Sequence, residues 1–379
     1  MNINLFKKSP AGRLVYAPGG YWAFVPHPLP PRFEWDDTMV TLLSRADLAL
    51  GKLSGLIETV SHPDLLVYSF VRREAVFSSR INGVQSSLSD LLLYEVTQVE
   101  KQPDVKEIYN YVRALEYGLD HLDELPLNLP FLRELHGVLM KEVNVENTHP
   151  GEFRNSQIWN GPPGCTLEQA IFVPPPVDEM YKCLNQMETF INSDINLPYL
   201  VQAALIHYQL ESIRPFLDGN GRIGRLLILF LFYIKGVFSR PLLYLSAYLE
   251  QNREEYFTYL LEVSRKGNWK QWIHFFLQGV ISEAEDTVQR AYLLLKLHQD
   301  CHKTISSRYR SPLLGQIIDH IFTQPVVTVK SIQEQLKVTF PAANKAIQVL
   351  ARENILTETT GRKRNKVYVA QDVLDILEE

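Results

Sequence analysis

Residues 214–225 read Arg-Pro-Phe-Leu-Asp-Gly-Asn-Gly-Arg-Ile-Gly-Arg, and an apolar run over 226–234 follows at once. A tight two-glycine turn is thereby forced directly in front of a helix that must be buried. Gly219 and Gly221 let the backbone turn sharply and approach a ligand with no Cβ in the way. With the start of a helix near Arg222, their N–H groups form an anion cradle suited to a diphosphate. Asp218 places a carboxylate at its edge, where a phosphate-bound Mg²⁺ needs an oxygen ligand. Arg222 and Arg225, three apart on the helix, can both turn toward the same phosphates with fork geometry. A plain glycine-rich turn requires neither the arginines nor the aspartate.

Composition narrows the setting. At 379 residues the chain is long enough for two or more domains, and 46% hydrophobic with 21% charged residues fits an ordinary soluble globular protein. A net charge of −5 excludes a whole-molecule field for polyanions, so any nucleic-acid contact must come from a local patch. Cys165, Cys183 and Cys301 show no paired or metal-like spacing. Cys301-His302 has no partner pair nearby and reads as incidental helix residues. The N-terminus lacks the apolar run of a signal peptide, and 226–234 is too short to span a bilayer. The expectation is a cytoplasmic protein with no membrane partner.

Along the chain, residues 1–36, with Pro26, Pro28, Pro30 and Pro31 close together, predict an extended arm lying on the body. Residues 37–125 read as a helical region, with Pro103 placed to start a helix. Residues 126–308 are helical again, interrupted at 214–222 and around Pro241. Within them, short apolar alternation over 157–159 and 170–173, separated by Asn160-Gly-Pro-Pro-Gly164, predicts a small hairpin. Residues 309–379 differ in kind: helices over 312–322, 329–336 and 341–354, then strands over 355–359 and 366–370 joined by a basic connection. Three short helices and such a hairpin resemble a winged helix-turn-helix. The predicted fold is mainly α with a small β-hairpin, plus this C-terminal domain.

Pro215, Phe216, Asp218, Gly219, Asn220, Gly221, Arg222 and Arg225 match the signature of the Fic family, His-Pro-Phe-x-Asp/Glu-Gly-Asn-Gly-Arg-x-x-Arg, at eight specified positions. The similarity extends through His207-Tyr-Gln-Leu-Glu-Ser-Ile213 and Leu245-Ser-Ala-Tyr-Leu-Glu-Gln-Asn-Arg253. It covers roughly residues 37–305, and a winged helix is a common companion in one bacterial branch. The 151–175 hairpin resembles the family's flap, in which Phe172-Val-Pro-Pro175 offers an exposed edge to which a protein target can add as a strand. The resemblance implies transfer of AMP from ATP-Mg²⁺ to a Ser, Thr or Tyr hydroxyl of a protein. Asp218 would hold Mg²⁺, Gly219, Asn220, Gly221 and Arg222 the phosphates, Arg225 the outer phosphates, and Asn252 the nucleotide. His207 is read as a packed or surface histidine.

Two positions depart from that pattern. The family's base is histidine, which accepts a proton near neutral pH. Here it is Arg214, and a guanidinium stays protonated. Ser78-Ser-Arg-Ile-Asn-Gly83 matches the family's inhibitory motif, Ser/Thr-x-x-x-Glu-Gly/Asn, except that Asn82 replaces the glutamate that pairs with the arginine equivalent to Arg225. An active enzyme without its brake would be harmful, whereas an inactive one needs none, so the paired losses point to decay or repurposing. The expected function is an adenylyltransferase fold whose turnover Arg214 impairs. The alternative is an inactive nucleotide-binding transcriptional regulator. A kinase-like use fits less well, because Gly221 preserves the small-residue cradle of AMP transfer.

Between residues 330 and 366 eight basic residues face three acidic ones. Asn344, Lys345 and Gln348 on the third helix can read base edges, and Arg362, Lys363 and Arg364 at the wing tip can reach the backbone or minor groove. DNA is therefore the expected partner of this domain, with protein docking the other use of such a fold. The sequence leaves open whether the chain forms a homodimer.

Overall fold

The structure, a computed structural model, describes all residues except 61–62, 100–103, 144–148, 238–241, 363 and 379. Pro103, Pro241 and Lys363 thus lie outside the described residues. In chain order the elements are β1 (Gly12–Ala17), β2 (Tyr21–Pro26), α1 (Asp37–Thr59), α2 (Asp64–Ile81), α3 (Leu88–Thr97), α4 (Val105–His121), α5 (Leu129–Leu139), α6 (Val177–Ile191), α7 (Tyr199–Ile213), α8 (Asn220–Ile234), α9 (Ser246–Gln251), α10 (Arg253–Lys266), α11 (Trp269–Arg308), α12 (Pro312–Thr323), β3 (Val326–Thr328), α13 (Val329–Leu336), α14 (Phe340–Arg352), β4 (Thr357–Glu358), β5 (Val367–Val369) and α15 (Gln371–Glu378). The fold is mainly helical with small antiparallel sheets, as the sequence predicts. Two compact units emerge, one of Met1–Gly51 with Asn110–Glu283, the other of Lys52–Tyr109 with Ala284–Glu379.

At the centre of the first unit, α7 packs on α8. Every residue from Leu200 to Ile213 is buried, and α8 is buried from Arg222 to Phe232. Helices this apolar on all sides are stable only when surrounded. Contact is close where Gly118 faces Phe230, since a Cβ at Gly118 would lie 2.2 Å from the ring. Trp272 Nε1 donates to Ala204 O at 2.9 Å and ties α11 to α7.

The N-terminal segment is not the plain extended arm expected from its prolines. β1 and β2 form an antiparallel hairpin with Ala17 opposite Tyr21. Pro18-Gly19-Gly20 makes the turn, with Gly20 at φ +81°, a conformation glycine adopts without cost. The clustered prolines from Pro26 onward close β2 instead of lying within it. Phe24 packs against Phe6 and Phe172 at ring separations of 5.6 and 5.8 Å.

In the second unit, α12, α13 and α14 precede a three-stranded antiparallel sheet in the order β3-β5-β4. Val326 and Val327 add a strand that the sequence reading lacks, and α15 is also additional. Arg73 Nε donates to Leu377 O at 3.0 Å and Arg290 Nη1 to Ile376 O at 2.5 Å, so α15 ends on two arginines. No helix among the described residues is long and apolar enough to cross a membrane.

Candidate functional site

α7 ends at Arg214, whose φ of +47° and ψ of 70° turn the chain out of the helix. The next turn is braced from within: Asn220 Oδ1 accepts from Phe216 N, and its Nδ2 donates to Phe216 O, both at 2.8 Å. Gly219 at φ +74° lets α8 begin at Asn220, and Asp218 Oδ1 accepts from Gly219 N at 2.6 Å. Asp218 remains 43% exposed while Arg222, at 2%, has Nη2 3.7 Å from Asp218 Oδ2. One open carboxylate thus stands at a helix N-terminus with buried positive charge behind it, a setting for a phosphate-bound cation.

Arg225 is buried, with 4% of its surface exposed. Its guanidinium hydrogen-bonds Tyr256. The Tyr256 hydroxyl meets His207 Nε2 at 2.8 Å, and His207 Nδ1 lies 3.1 Å from Gly224 O. This order assigns a neutral His207 donating from Nδ1, and burial lowers its pKa. His207 is therefore the packed residue the sequence suggests. Glu211 lies alongside, with Oε2 3.9 Å from Arg214 Nη1. A Cβ on Gly221 would sit 3.0 Å from Arg225 Nη1 and 3.5 Å from Glu211 Oε1. Gly221 hence gives Arg225 and Glu211 room.

Two supports come from far along the chain. His136 Nε2 lies 3.2 Å from Asp218 O, its Nδ1 accepts from Gly151 N at 3.0 Å, and its ring stacks on Phe216 at 3.8 Å. Arg154, 1% exposed, donates from Nε to Arg214 O at 2.8 Å, from Nη1 to Ser156 O at 3.1 Å and from Nη2 to Pro175 O; its backbone N–H meets Pro215 O at 2.8 Å. Burial lowers its pKa to about 10. Arg154 joins the loop to the 151–175 segment.

That segment is not the open hairpin expected. In place of strands over 157–159 and 170–173, one isolated antiparallel bridge pairs Asn160, at the start of the expected turn, with Phe172. Phe172, Val173, Pro174 and Pro175 are buried. The reason is β2, whose Phe24 N–H donates to Val173 O at 2.9 Å while Ala23 packs on Ala170 and Val173. Tyr21 Oη adds a bond to Gln157 Oε1 at 3.0 Å.

Asn252 lies at the junction of α9 and α10, where Nδ2 donates to Tyr248 O at 2.9 Å. Asn82, in the second unit, is the exposed C-cap of α2, its N–H bonded to Ser79 O and followed by Gly83 at φ +100°. On α14, Lys345 and Gln348 are exposed and Asn344 half-buried; Arg362 and Arg364 are exposed between β4 and β5.

Burial lowers the His136 pKa to about 4, against an ordinary value near 6.5. Between these values the unfolded chain binds the proton and the folded chain does not, so stability falls as pH drops from about 6.5 to about 4. The contribution is of order 3 kcal/mol. The melting temperature of the natural chain is expected to decline more steeply across that window than that of His136→Gln; parallel curves would show His136 to be accessible to protons in the fold.

Three family models match the chain: "Fic/DOC family N-terminal" over residues 40–120, "Fic/DOC family" over 126–232, and "HTH DNA binding domain" over 314–368. Curated relatives include Protein adenylyltransferase Fic of Drosophila grimshawi, 25% identical over 66% of this chain and 50% of its own length, and that of Aedes aegypti, 31% identical over 44% and 32%. The chain thus spans half or less of these two relatives. Among solved structures, a Fic family protein from Desulfovibrio desulfuricans G20 aligns with TM-score 0.58 at 16% identity, covering 90% of this chain and 98% of the other. Fic-1 from C. elegans aligns with TM-score 0.51 at 18% identity, covering 68% and 74%. These likenesses establish the fold, and with the matched models and the loop signature they show that the chain belongs to the Fic/DOC family.

Proposed function

We propose that the 214–225 loop binds ATP with Mg²⁺ as the site of a protein adenylyltransferase, and that Arg214 makes AMP transfer to a Ser, Thr or Tyr hydroxyl slow. The observation that carries this reading is the built cradle: Asp218 is open at the start of α8, Arg222 and Arg225 are buried behind it, and Tyr256 fixes Arg225. Asp218 would hold Mg²⁺, which supplies charge neutralisation at the phosphates. The N–H groups of Asn220, Gly221 and Arg222 would face the same anion, with that of Gly219 joining them once it leaves Asp218 Oδ1, and Arg225 would meet the outer phosphates. Arg214 can donate to an oxygen but cannot accept the target's proton. Asn82 carries no charge with which to restrain Arg225 as the family's glutamate does, and Asn252 is the nucleotide contact that the resemblance suggests. Any target strand must displace β2 from Val173 O or add beyond it.

Calorimetry on the full chain is expected to show ATP binding that requires Mg²⁺ and weakens about tenfold or more, ~1.4 kcal/mol, in Asp218→Ala. Absence of ATP binding by the natural chain would reject the site.

A second reading rests on the exposed Lys345, Gln348, Arg362 and Arg364: a nucleotide-binding regulator of transcription acting through the winged helix. Retention of duplex DNA should then fall steeply as salt rises and drop further in Lys345→Glu/Arg364→Glu. No retention at low salt would leave the domain a protein-docking module.

A further inference from the structure

We propose that His298, His302 and Asp319 form a transition-metal site that joins α11 to the first helix of the winged-helix domain. His298 and His302 stand four residues apart on α11, so both project from one face. Their Nε2 atoms converge on a single oxygen, Oδ1 of Asp319 on α12, at 2.7 and 2.8 Å. The rings are 4.5 Å apart, and the three ligand atoms all lie within 4.8 Å of one another. No other group of this kind occurs among the described residues.

One carboxylate oxygen can accept from both imidazoles, and the same convergence presents three ligand atoms to a metal ion, one from each residue. Tetrahedral Zn²⁺ takes imidazole and carboxylate at about 2.0–2.2 Å, so the ion would sit just outside the present Nε2-to-oxygen lines after small side-chain rotations. A two-imidazole, one-carboxylate set favours Zn²⁺ or Co²⁺ over Mg²⁺. The surroundings permit it. Phe322 stands edge-on to His298 at 5.0 Å and walls one side. On another side Gly315 leaves His302 uncrowded, since even an added Cβ would stay 3.5 Å from its Cε1. Asp319 and His302 are exposed enough for water to complete the coordination. The sequence alone hid the site, because the visible pair was Cys301-His302 and the third ligand belongs to another helix.

The test uses the full chain, stripped with chelator and free of nucleotide. Titration with Co²⁺ is expected to give tetrahedral-type ligand-field absorption that saturates at one equivalent and is abolished by Zn²⁺. His302→Ala and Asp319→Asn, at a half-buried and an exposed position, should each weaken Zn²⁺ binding by about 100-fold, the upper end of the loss seen when only a supporting group is removed. Zn²⁺ should raise the melting temperature of the natural chain but not of His302→Ala, whose apo form should melt like the natural apo protein. A Co²⁺ spectrum of the hydrated ion, or equal Zn²⁺ affinity in the natural chain and both variants, would overturn the proposal.

Discussion

Arg214→His is expected to raise the rate of AMP transfer by about 10²- to 10⁴-fold, the usual contribution of a positioned general base. The position accepts the change. Its backbone is left-handed at φ +47°, a region in which histidine is several-fold more common than most residues with a side chain. What the natural side chain loses is slight, since its ion pair to Glu211 is 3.9 Å long, too long for a hydrogen bond. The Arg214 carbonyl still accepts from Arg154, since that contact is to backbone. Neither His136 nor His207, the two histidines packed against the loop and its helices, can supply the missing function. His136 is committed to Asp218 O and Gly151 N, and His207 to Gly224 O and Tyr256. Label from α-³²P-ATP should therefore appear on the Arg214→His chain or its target far faster than with the natural protein, with Mg²⁺-ATP affinity nearly unchanged. If Arg214→His binds ATP and labels nothing, the missing base is not what limits the site.

The loop was legible because its chemistry is local. Gly219, Asn220 and Gly221 shape the turn through contacts no more than four residues away, such as Asn220 with Phe216. What escaped the sequence are the partners brought by tertiary folding. Asp218 and His136 are 82 residues apart, Arg214 and Arg154 60, and His207 and Tyr256 49. No periodicity encodes such meetings, although Arg154 stands inside the 151–175 stretch that resembles the family's flap. Long helices were readable for the same reason in reverse, since α7, α8 and the 312–322 helix declare themselves by apolar content and length. Strands fared worse. Val326-Val327 runs straight into α13 and is too short to show alternation, and 170–173 takes its form from β2, not from its own residues. The N-terminal hairpin is signalled by Pro18-Gly19-Gly20 between its two strands, whereas the prolines after β2 favour an extended chain.

Arg154→Ala is expected to destabilise the first unit by about 3 kcal/mol, within the range for removing one partner of a buried charged network. The physical account is specific. Three carbonyls, of Arg214, Ser156 and Pro175, would each lose a charged donor, and bonds to charged groups contribute about 1.5–3 kcal/mol apiece before the desolvation of the charge is subtracted. That desolvation is real, since burial, helped by the nearby Arg214 charge, brings the guanidinium pKa down to about 10, and it holds the net loss well below the sum of three bonds. At roughly 2–4 °C per kcal/mol for a unit of this size, the melting temperature should fall by about 10 °C. Arg154→Lys should recover little, because one ammonium cannot span three carbonyls that a planar fork reaches together. The same clamp sets the distance between the 214–225 loop and Pro175, so Arg154→Lys, if it folds, should also weaken ATP binding while leaving the secondary structure intact. A variant that melts within a degree of the natural chain would show that the three carbonyls find water or other donors, and that the loop holds its shape through Asn220 and His136 alone.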